Sequence, residues 1–313
     1  MDSGLVQTRQ VWPTPARPAR WSAPRLRNAF WGYLFIAPSM LGILAFTLFP
    51  VLAALGISFS EWNLITPPVF VGLDGYRALL SDPLFGKVLL NTLYYTAGSV
   101  PLNLVLSLAL AVALNQRIRG LALYRTAYFM PVVSSMVAVG LIWAWLYDTD
   151  YGLVNALLVR LHLPAIAWLT STEWAMPAII LTSVWKSLGF NMIIFLAALQ
   201  DVPEALYEAA RIDGASAWRL FRYITVPLIS PATFFVLVMG IIGSFQAFDQ
   251  VYIMTNGGPA RATTVIVYYI WQNAFKFFKM GYASAMAWIL FLIVLAATAL
   301  LFRSSSWVFY RSE

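Results

Sequence analysis

The 313-residue chain has no cysteine, which excludes disulfide frameworks, thiolate metal sites and thiol redox chemistry. Its single histidine, His162, lies in a Pro-flanked loop; a metal cluster needs more ligands of that kind, so a solvated or interfacial imidazole is expected. Charge is scarce too: Asp, Glu, Lys and Arg make up 11% of the residues, against about 25% in soluble domains. No acid lies well inside an apolar run and no internal repeat is visible, which argues against a gradient-driven transporter with broken, acid-bearing helices. There is no G-x-x-x-x-G-K-[ST] phosphate cradle and no room in the tails for a nucleotide-binding domain, so this chain is not expected to hydrolyse ATP itself. No Ser/His/Asp or Cys/His constellation is present. The paired acids Asp148 and Asp150, beside Gly152, read as a turn with solvated carboxylates.

What the chain does have is apolar surface: 61% of its residues are hydrophobic and its mean hydropathy is +0.75. That composition belongs to an integral membrane protein, all-α and polytopic. Six stretches reach the roughly 20 residues that a membrane-crossing helix needs. They run over 30–59, 88–114, 127–147, 175–199, 232–248 and 283–302. Pro38 and Pro50 predict a kink in the first, and the fifth is the shortest. Residues 1–29 hold five Arg and several Pro and read as a disordered basic tail; the apolar run behind it is too long for a cleaved signal and is expected to be retained.

Basic residues orient the spans. With the N-terminus inside, the inner segments carry Arg9, Arg17, Arg20, Arg25 and Arg27, then Arg117, Arg119 and Arg125, then Arg211, Arg219 and Arg222, then Arg303 and Arg311. The outer loops carry Arg77, Lys87, Arg160, Arg261, Lys276 and Lys279, together with seven of the 13 acids. An even number of spans then puts both termini in the cytoplasm. The net charge of +7 is read as a topology signal, with no place for nucleic acid.

One polar insert stands out from this apolar chain, between the fourth and fifth spans. Asp201 and Glu204 have the spacing of a capping box, with Pro203 tolerated in the first turn. The helix so opened runs through Glu208, Gly214 suits a left-handed C-cap, and Ser216 suits the N-cap of a second helix ending before Pro227. Leu206, Ala209, Ala210 and Ile212, then Trp218, Phe221 and Ile224, put apolar faces on two polar helices. A helix-turn-helix of that kind is suited to dock in a groove of a partner.

Glu208-Ala-Ala, three residues, Gly214, nine residues, then Ile224-x-x-Pro227 resembles the cytoplasmic EAA loop of inner-membrane permease subunits of binding-protein-dependent ABC importers. Val226 stands where Leu is usual. Asn91-Thr92, Tyr124-Arg125-Thr126 before Met130-Pro131, Ala198-Leu199-Gln200, and Phe248-Asp249 through Thr255-Asn-Gly-Gly-Pro259 are similar to the carbohydrate-uptake branch, of maltose and glycerol-phosphate type. The resemblance implies the type I importer fold, with a basic tail over 1–29, a first helix and outer loop over 30–86, a permease core over 87–302 whose coupling loop is 201–231, and a tail over 303–313. It implies that Glu208, Ala209, Ala210, Asp213, Gly214, Trp218, Phe221 and Pro227 couple to a cytoplasmic ATPase, with Glu208 meeting a basic residue and the alanines allowing close approach. On spacing alone, Glu208 and Arg211 are equally read as solvating a loop. Two ATPase copies using ATP and Mg, a second related permease and an extracytoplasmic binding protein are the implied partners, and this chain binds no cofactor itself.

The path for the solute is less sharply written. Polar groups inside apolar spans face a bundle interior or a wet path. Lys186, within Val184-Trp185-Lys-Ser-Leu-Gly189-Phe-Asn191, is the only charge well inside a span; contact with sugar hydroxyls or a phosphate, pairing with Asp249, and snorkelling all remain open. Trp185, Asn191, Gln246 and Phe248 combine hydrogen bonding with aromatic surface, as sugar sites do, while aromatics at span ends also form interfacial belts. Gly189, Ser244 and Asp249 complete the candidate path. Ser244 and Ala247 stand where the family pattern would put amides, which weakens the case for tight sugar binding by this subunit. The cargo reads as a sugar, with glycerol 3-phosphate, a polyol or a nucleoside as alternatives. Gly257-Gly258-Pro259 reads as a turn and, by resemblance, as part of the outer gate region that meets the binding protein; the loop from Asp148 to Glu173, which contains Tyr151 and Trp168 and has Trp174 just after it, is read either as part of the same docking surface or as a loop packed on the membrane surface.

Overall fold

The computed structural model describes residues 23–116 and 119–309; Arg9, Arg17, Arg20, Arg117 and Arg311 of the orientation argument lie outside the described residues. The chain divides into two units, one through Ala53 and one from Ala54 onward. The first holds α1 (Ala23–Ile43), a π-helical turn (Leu44–Leu48) and the opening of α2 (Phe49–Ile57). Helix therefore begins within the stretch expected to be a disordered tail. The two prolines do not break it: Phe30–Ile57 counts as one span. The widened turn, with the Phe49 N–H bonded to the Leu44 carbonyl, comes just before Pro50, whose missing N–H leaves no further bond to lose.

In the second unit a two-stranded antiparallel ribbon, β1 (Ser60–Glu61) and β2 (Val69–Phe70), pairs Ser60 with Phe70 and precedes α3 (Asp74–Leu80). α4 (Pro83–Leu114) starts where Pro83 supplies a preset φ and the Asp82 carboxylate accepts the Leu84 N–H at 2.9 Å. Then come α5 (Leu121–Val133), α6 (Met136–Leu146), α7 (Leu153–Arg160) and α8 (Ala175–Gln200). α4, α8 and α15 (Met280–Arg303) are long, apolar spans. The apolar run over 127–147, expected to be one span, is instead two helices bent by 101°. Ser134 and Ser135 are both extended there, and the Ser135 hydroxyl accepts the Val137 N–H at 3.3 Å as the N-cap of α6. Short hydroxyl side chains compete for backbone groups and so favour caps over helix interiors; an apolarity profile does not register that.

The chain continues through α9 (Glu204–Ile212), α10 (Ala217–Leu220), a π turn (Phe221–Thr225), α11 (Val226–Leu228) and α12 (Ser230–Phe245), with a 65° bend before α12. α13 (Asp249–Met254), the turn at Gly257, α14 (Ile266–Trp271) and a π turn (Gln272–Lys276) lead to α15. α8 is the hub, packed by α4, α5, α12 and α13. Ile179, Met192 and Phe195 are completely buried along it, and Gly240 of α12 lets that helix approach Val100 of α4. At one end of the bundle Asp82 accepts the hydroxyls of Tyr269 and Tyr282, each at 3.0 Å, and Thr92 accepts the Ile266 N–H at 3.0 Å. These bonds tie the last third of the chain to the start of α4. As read from the sequence, Asp148 forms a turn, accepting the N–H groups of Asp150 and Tyr151.

Candidate functional site

The polar insert folds as a helical hairpin. Gly214 has φ +77°, the Gly214 N–H bonds Arg211 O and the Ala215 N–H bonds Ala210 O at 2.9 Å, so a glycine-terminated C-cap closes α9 as its position in the sequence implies. The expected capping box is absent. The Asp201 N–H still bonds Ala197 O as the last turn of α8, and Pro203, with no side-chain donor or acceptor, occupies the N-cap of α9. Ser216 does stand at the second N-cap, with no hydroxyl bond to the helix, and the second helix does not stop before Pro227. It crosses Pro227 because the π turn Phe221–Thr225 shifts the hydrogen-bond register just ahead of it, with Val226 N–H on Phe221 O.

The two arms are clamped by Tyr207, whose hydroxyl lies 2.9 Å from that of buried Thr225. Glu208, Ala209, Asp213, Gly214 and Trp218 are exposed; Ala210, Phe221 and Pro227 are half-buried. Ile212 is 87% exposed and Trp218 69%, with Trp218 set against Phe221 at 5.7 Å between ring centres. Single exposed apolar side chains are ordinary at a surface; here two large ones, Ile212 and Trp218, stand on either side of the turn of one hairpin. Glu208, one helical turn before Ile212 on α9, is exposed as well, and the one ion pair among the described residues, Arg77 with Asp74, does not involve it.

A second feature is a cavity of about 370 Å³ between α4, α8 and α12. Tyr95, Ser99 and Asn103 line it from α4, and Ser183, Ser187 and Asn191 from α8. Both sets step by four residues, which keeps each on one face of its helix. They are cross-linked: Asn103 donates to Ser187 Oγ at 2.8 Å and to Val184 O at 3.2 Å, Asn191 donates to Asn103 Oδ1, and Gln250 of α13 donates to Tyr95 at 2.8 Å. Ser244 of α12 donates to Thr96 at 3.0 Å. Ser99 Oγ is buried with no partner. Phe190, Met136 and Met239 supply apolar surface.

The sequence-derived path residues divide. Lys186, Asn191 and Ser244 line the cavity; Trp185, Gly189, Gln246, Phe248 and Asp249 do not. Lys186 Nζ donates to the carbonyls of Pro131, Val132 and Ser134, and has no ion pair with Asp249. Gly189 meets the backbone of α5 at Tyr128. Trp185 packs edge-on against Trp143 at 5.4 Å, Gln246 ends α12, and Asp249 opens α13 in solvent. Phe248 stacks on Tyr252 at 5.5 Å within an aromatic group that includes Tyr268 and Trp271. Tyr95, Ser99, Asn103, Ser183, Ser187 and Gln250 are absent from the sequence-derived set; four-residue spacing inside apolar spans is the signal that marks the first five, and Gln250, on the short α13, carries no such signal.

Outside the spans, Asp82 borders a second cavity of about 650 Å³ with Glu61, Trp62, Asp74 and Asn273. Burial acts to raise its carboxyl, but the Leu84 N–H and the hydroxyls of Tyr269 and Tyr282 outweigh it and hold the pKa below the usual 3.8. Burial and that neighbouring carboxylate together push the Tyr269 phenol up.

Residues 103–309 match the family described as binding-protein-dependent transport system inner membrane component. The chain is 40% identical over 288 residues to the probable ABC transporter permease protein YesP of Bacillus subtilis, covering 90% of this chain and 93% of that protein. It is 36% identical over 272 residues to the sulfoquinovosyl glycerol transport system permease protein SmoG of Agrobacterium fabrum, covering 86% and 88%. Its fold is similar to a chain of a bacterial alginate ABC transporter solved with an alginate pentasaccharide-bound periplasmic protein, at a TM-score of 0.81 and 23% identity, covering 92% of this chain and 98% of that one.

Proposed function

Because the chain belongs to the family of binding-protein-dependent transport system inner membrane components, we propose that it lines the route of a sugar or related carbohydrate across the cytoplasmic membrane, as the permease subunit of an ATP-driven importer. It is a membrane permease and not an enzyme; ATP hydrolysis belongs to separate ATPase subunits. The observation that carries the coupling half of this reading is the hairpin, a rigid, glycine-capped element with Ile212 and Trp218 bare at its tip and Glu208 alongside. Such a tip seats in a cleft of a cytoplasmic ATPase, with Glu208 on a basic residue, and passes nucleotide-driven closure on to α8 and α12, the spans at either end of the insert. Two ATPase copies working with ATP and Mg, a second related permease and an extracytoplasmic binding protein complete the machine. Both termini face the cytoplasm in this reading, and the chain holds no cofactor of its own.

The cavity supports a carbohydrate cargo. Hydroxyls and amides that both donate and accept, Tyr95, Ser183, Asn103 and Gln250 among them, match the hydrogen-bonding of a sugar, and Phe190 offers a face for its C–H surface. The buried, unpartnered Ser99 hydroxyl is a group that a wet cavity or a passing hydroxyl satisfies. The test is uptake by the reconstituted assembly in vesicles, with and without ATP, of the ligand that the co-purified binding protein retains. ATP-dependent uptake of a carbohydrate is expected. Uptake driven by an ion gradient without an ATPase overturns the importer reading, and a retained ligand of another class overturns the cargo.

A further inference from the structure

α5 stops in the middle of an apolar stretch, so its last carbonyls have no following turn to accept from. In water they would be hydrated; at membrane depth each requires a partner in the protein or a wet cavity. Local bonds satisfy little of this: the Ser134 N–H reaches Pro131 O at 3.2 Å, and Ser134 Oγ reaches Met130 O at 3.3 Å. One remote side chain adds three more bonds at this end. Lys186 Nζ donates to Pro131 O at 3.2 Å, Val132 O at 3.3 Å and Ser134 O at 2.9 Å. An ammonium has three N–H donors and no acceptor, so three carbonyls exhaust it. The C-terminal end of a helix carries partial negative charge, which adds to the fit.

Three residues further along α8, on the same face, is Gly189. A Cβ there would sit 2.0 Å from Tyr128 O and 2.7 Å from Tyr128 C, so only glycine allows α5 this close. α5 is thus held to α8 at two successive points, by backbone contact at Gly189 and by the ammonium at its end.

We propose that Lys186 is a positioning residue: it is the C-cap of α5 supplied by a neighbouring helix, it fixes the 101° break between α5 and α6, and it is not a ligand for an anionic solute. A cation that waits in a transport path for a phosphate or carboxylate needs a free donor, and this one has none. Among the described residues no other charged side chain lines the cavity, so recognition there runs through neutral hydroxyls and amides. The cap is a property of the chain itself and stands apart from the identity of the cargo.

The absence of cysteine makes the test direct. Leu123→Cys on α5 and Leu141→Cys on α6, at sites 73% and 59% exposed, receive spin labels, and the distance across the break is measured by pulsed electron resonance. The importer is assembled in nanodiscs with partner subunits lacking cysteine. A single narrow distance is expected with Lys186 and with Lys186→Arg, which keeps charged donors, and a broadened, shifted distribution with Lys186→Met. If Lys186→Met does not assemble, assembly and a narrow distance in Lys186→Arg carry the proposal. An unchanged distance in Lys186→Met overturns it, and so does a Lys186→Arg variant that is broadened or fails to assemble.

Discussion

Gly189→Ala is the sharpest probe of how the membrane helices are fitted together. The added Cβ would lie 2.0 Å from Tyr128 O, 2.7 Å from Tyr128 C and 3.0 Å from Phe129 Cα. All three are backbone atoms, so no rotamer change relieves the clash. Ordinary contact begins at 3.4 Å, so moving from 2.0 Å to 3.4 Å requires α5 to retreat from α8 by about 1.4 Å. Overpacking of this kind costs about 1–3 kcal/mol, and a clash with main chain belongs at the upper end. The same retreat strains the bonds of Lys186, which at 2.9–3.3 Å have only a few tenths of an ångström left before they cease to be hydrogen bonds. The assay is thermal unfolding of the purified assembly, with Gly86→Ala as the control. Nothing lies within 4 Å of a Cβ at Gly86, and Gly→Ala inside a helix is stabilising by roughly 0.5–1 kcal/mol. Gly189→Ala should melt lower than the parent and Gly86→Ala no lower. Equal melting of the two variants would refute the close fit of α5 on α8.

Two further outcomes follow from the hairpin and from Asp82. Gly214→Pro, which cannot adopt φ +77°, and Glu208→Lys, which reverses the charge beside the tip, should each abolish ATP-driven uptake or ATPase assembly while membrane insertion, followed by fractionation, persists; normal uptake by both sinks the coupling role. Asp82 is held below its usual pKa of 3.8 in the fold, so its charged form stabilises the native state above that value and the contribution disappears as pH falls through the lowered pKa. Asp82→Asn should therefore melt below the parent at pH 7 and pH 5, with the gap closing below about pH 3.8; a gap independent of pH would show that the carboxylate's charge is not what ties Tyr269 and Tyr282.

Helix content and the hairpin were legible because both depend on local signals. Apolar runs of span length mark α4, α8 and α15, and a glycine separated by nine residues from an Ile-x-x-Pro marks where the chain turns left-handed. The break at Ser134–Ser135 was not legible from apolarity, since Val132, Val133, Met136 and Val137 are apolar across it; what decides it is the competition of two hydroxyls for backbone bonds and a lysine more than fifty residues away that donates to the carbonyls at the helix end. The capping box failed for the opposite reason: Asp201 and Glu204 have the right spacing, but α8 runs on to Gln200 and uses the Asp201 N–H itself. Trp185 and Phe248 are conspicuous in the sequence but pack against other aromatics away from the cavity lining, whereas Tyr95, Ser99 and Asn103, which do line it, are inconspicuous one at a time. Only their repeat of four marks a helix face, and only the second stripe on α8 gives that face something to look across at.

That pair of stripes also bears on electrical insulation. A space of about 370 Å³, at roughly 30 Å³ for each water, has room for on the order of a dozen molecules, and hydroxyls and amides spaced one turn apart would keep them hydrogen-bonded in a file. Such a file conducts protons and small ions whenever both of its ends are open. Gly240 and Val100, which line that space and pack α12 onto α4, are therefore part of its wall as well as scaffolding, and a variant that loosens their fit should betray itself first as a leak of current, before any loss of cargo.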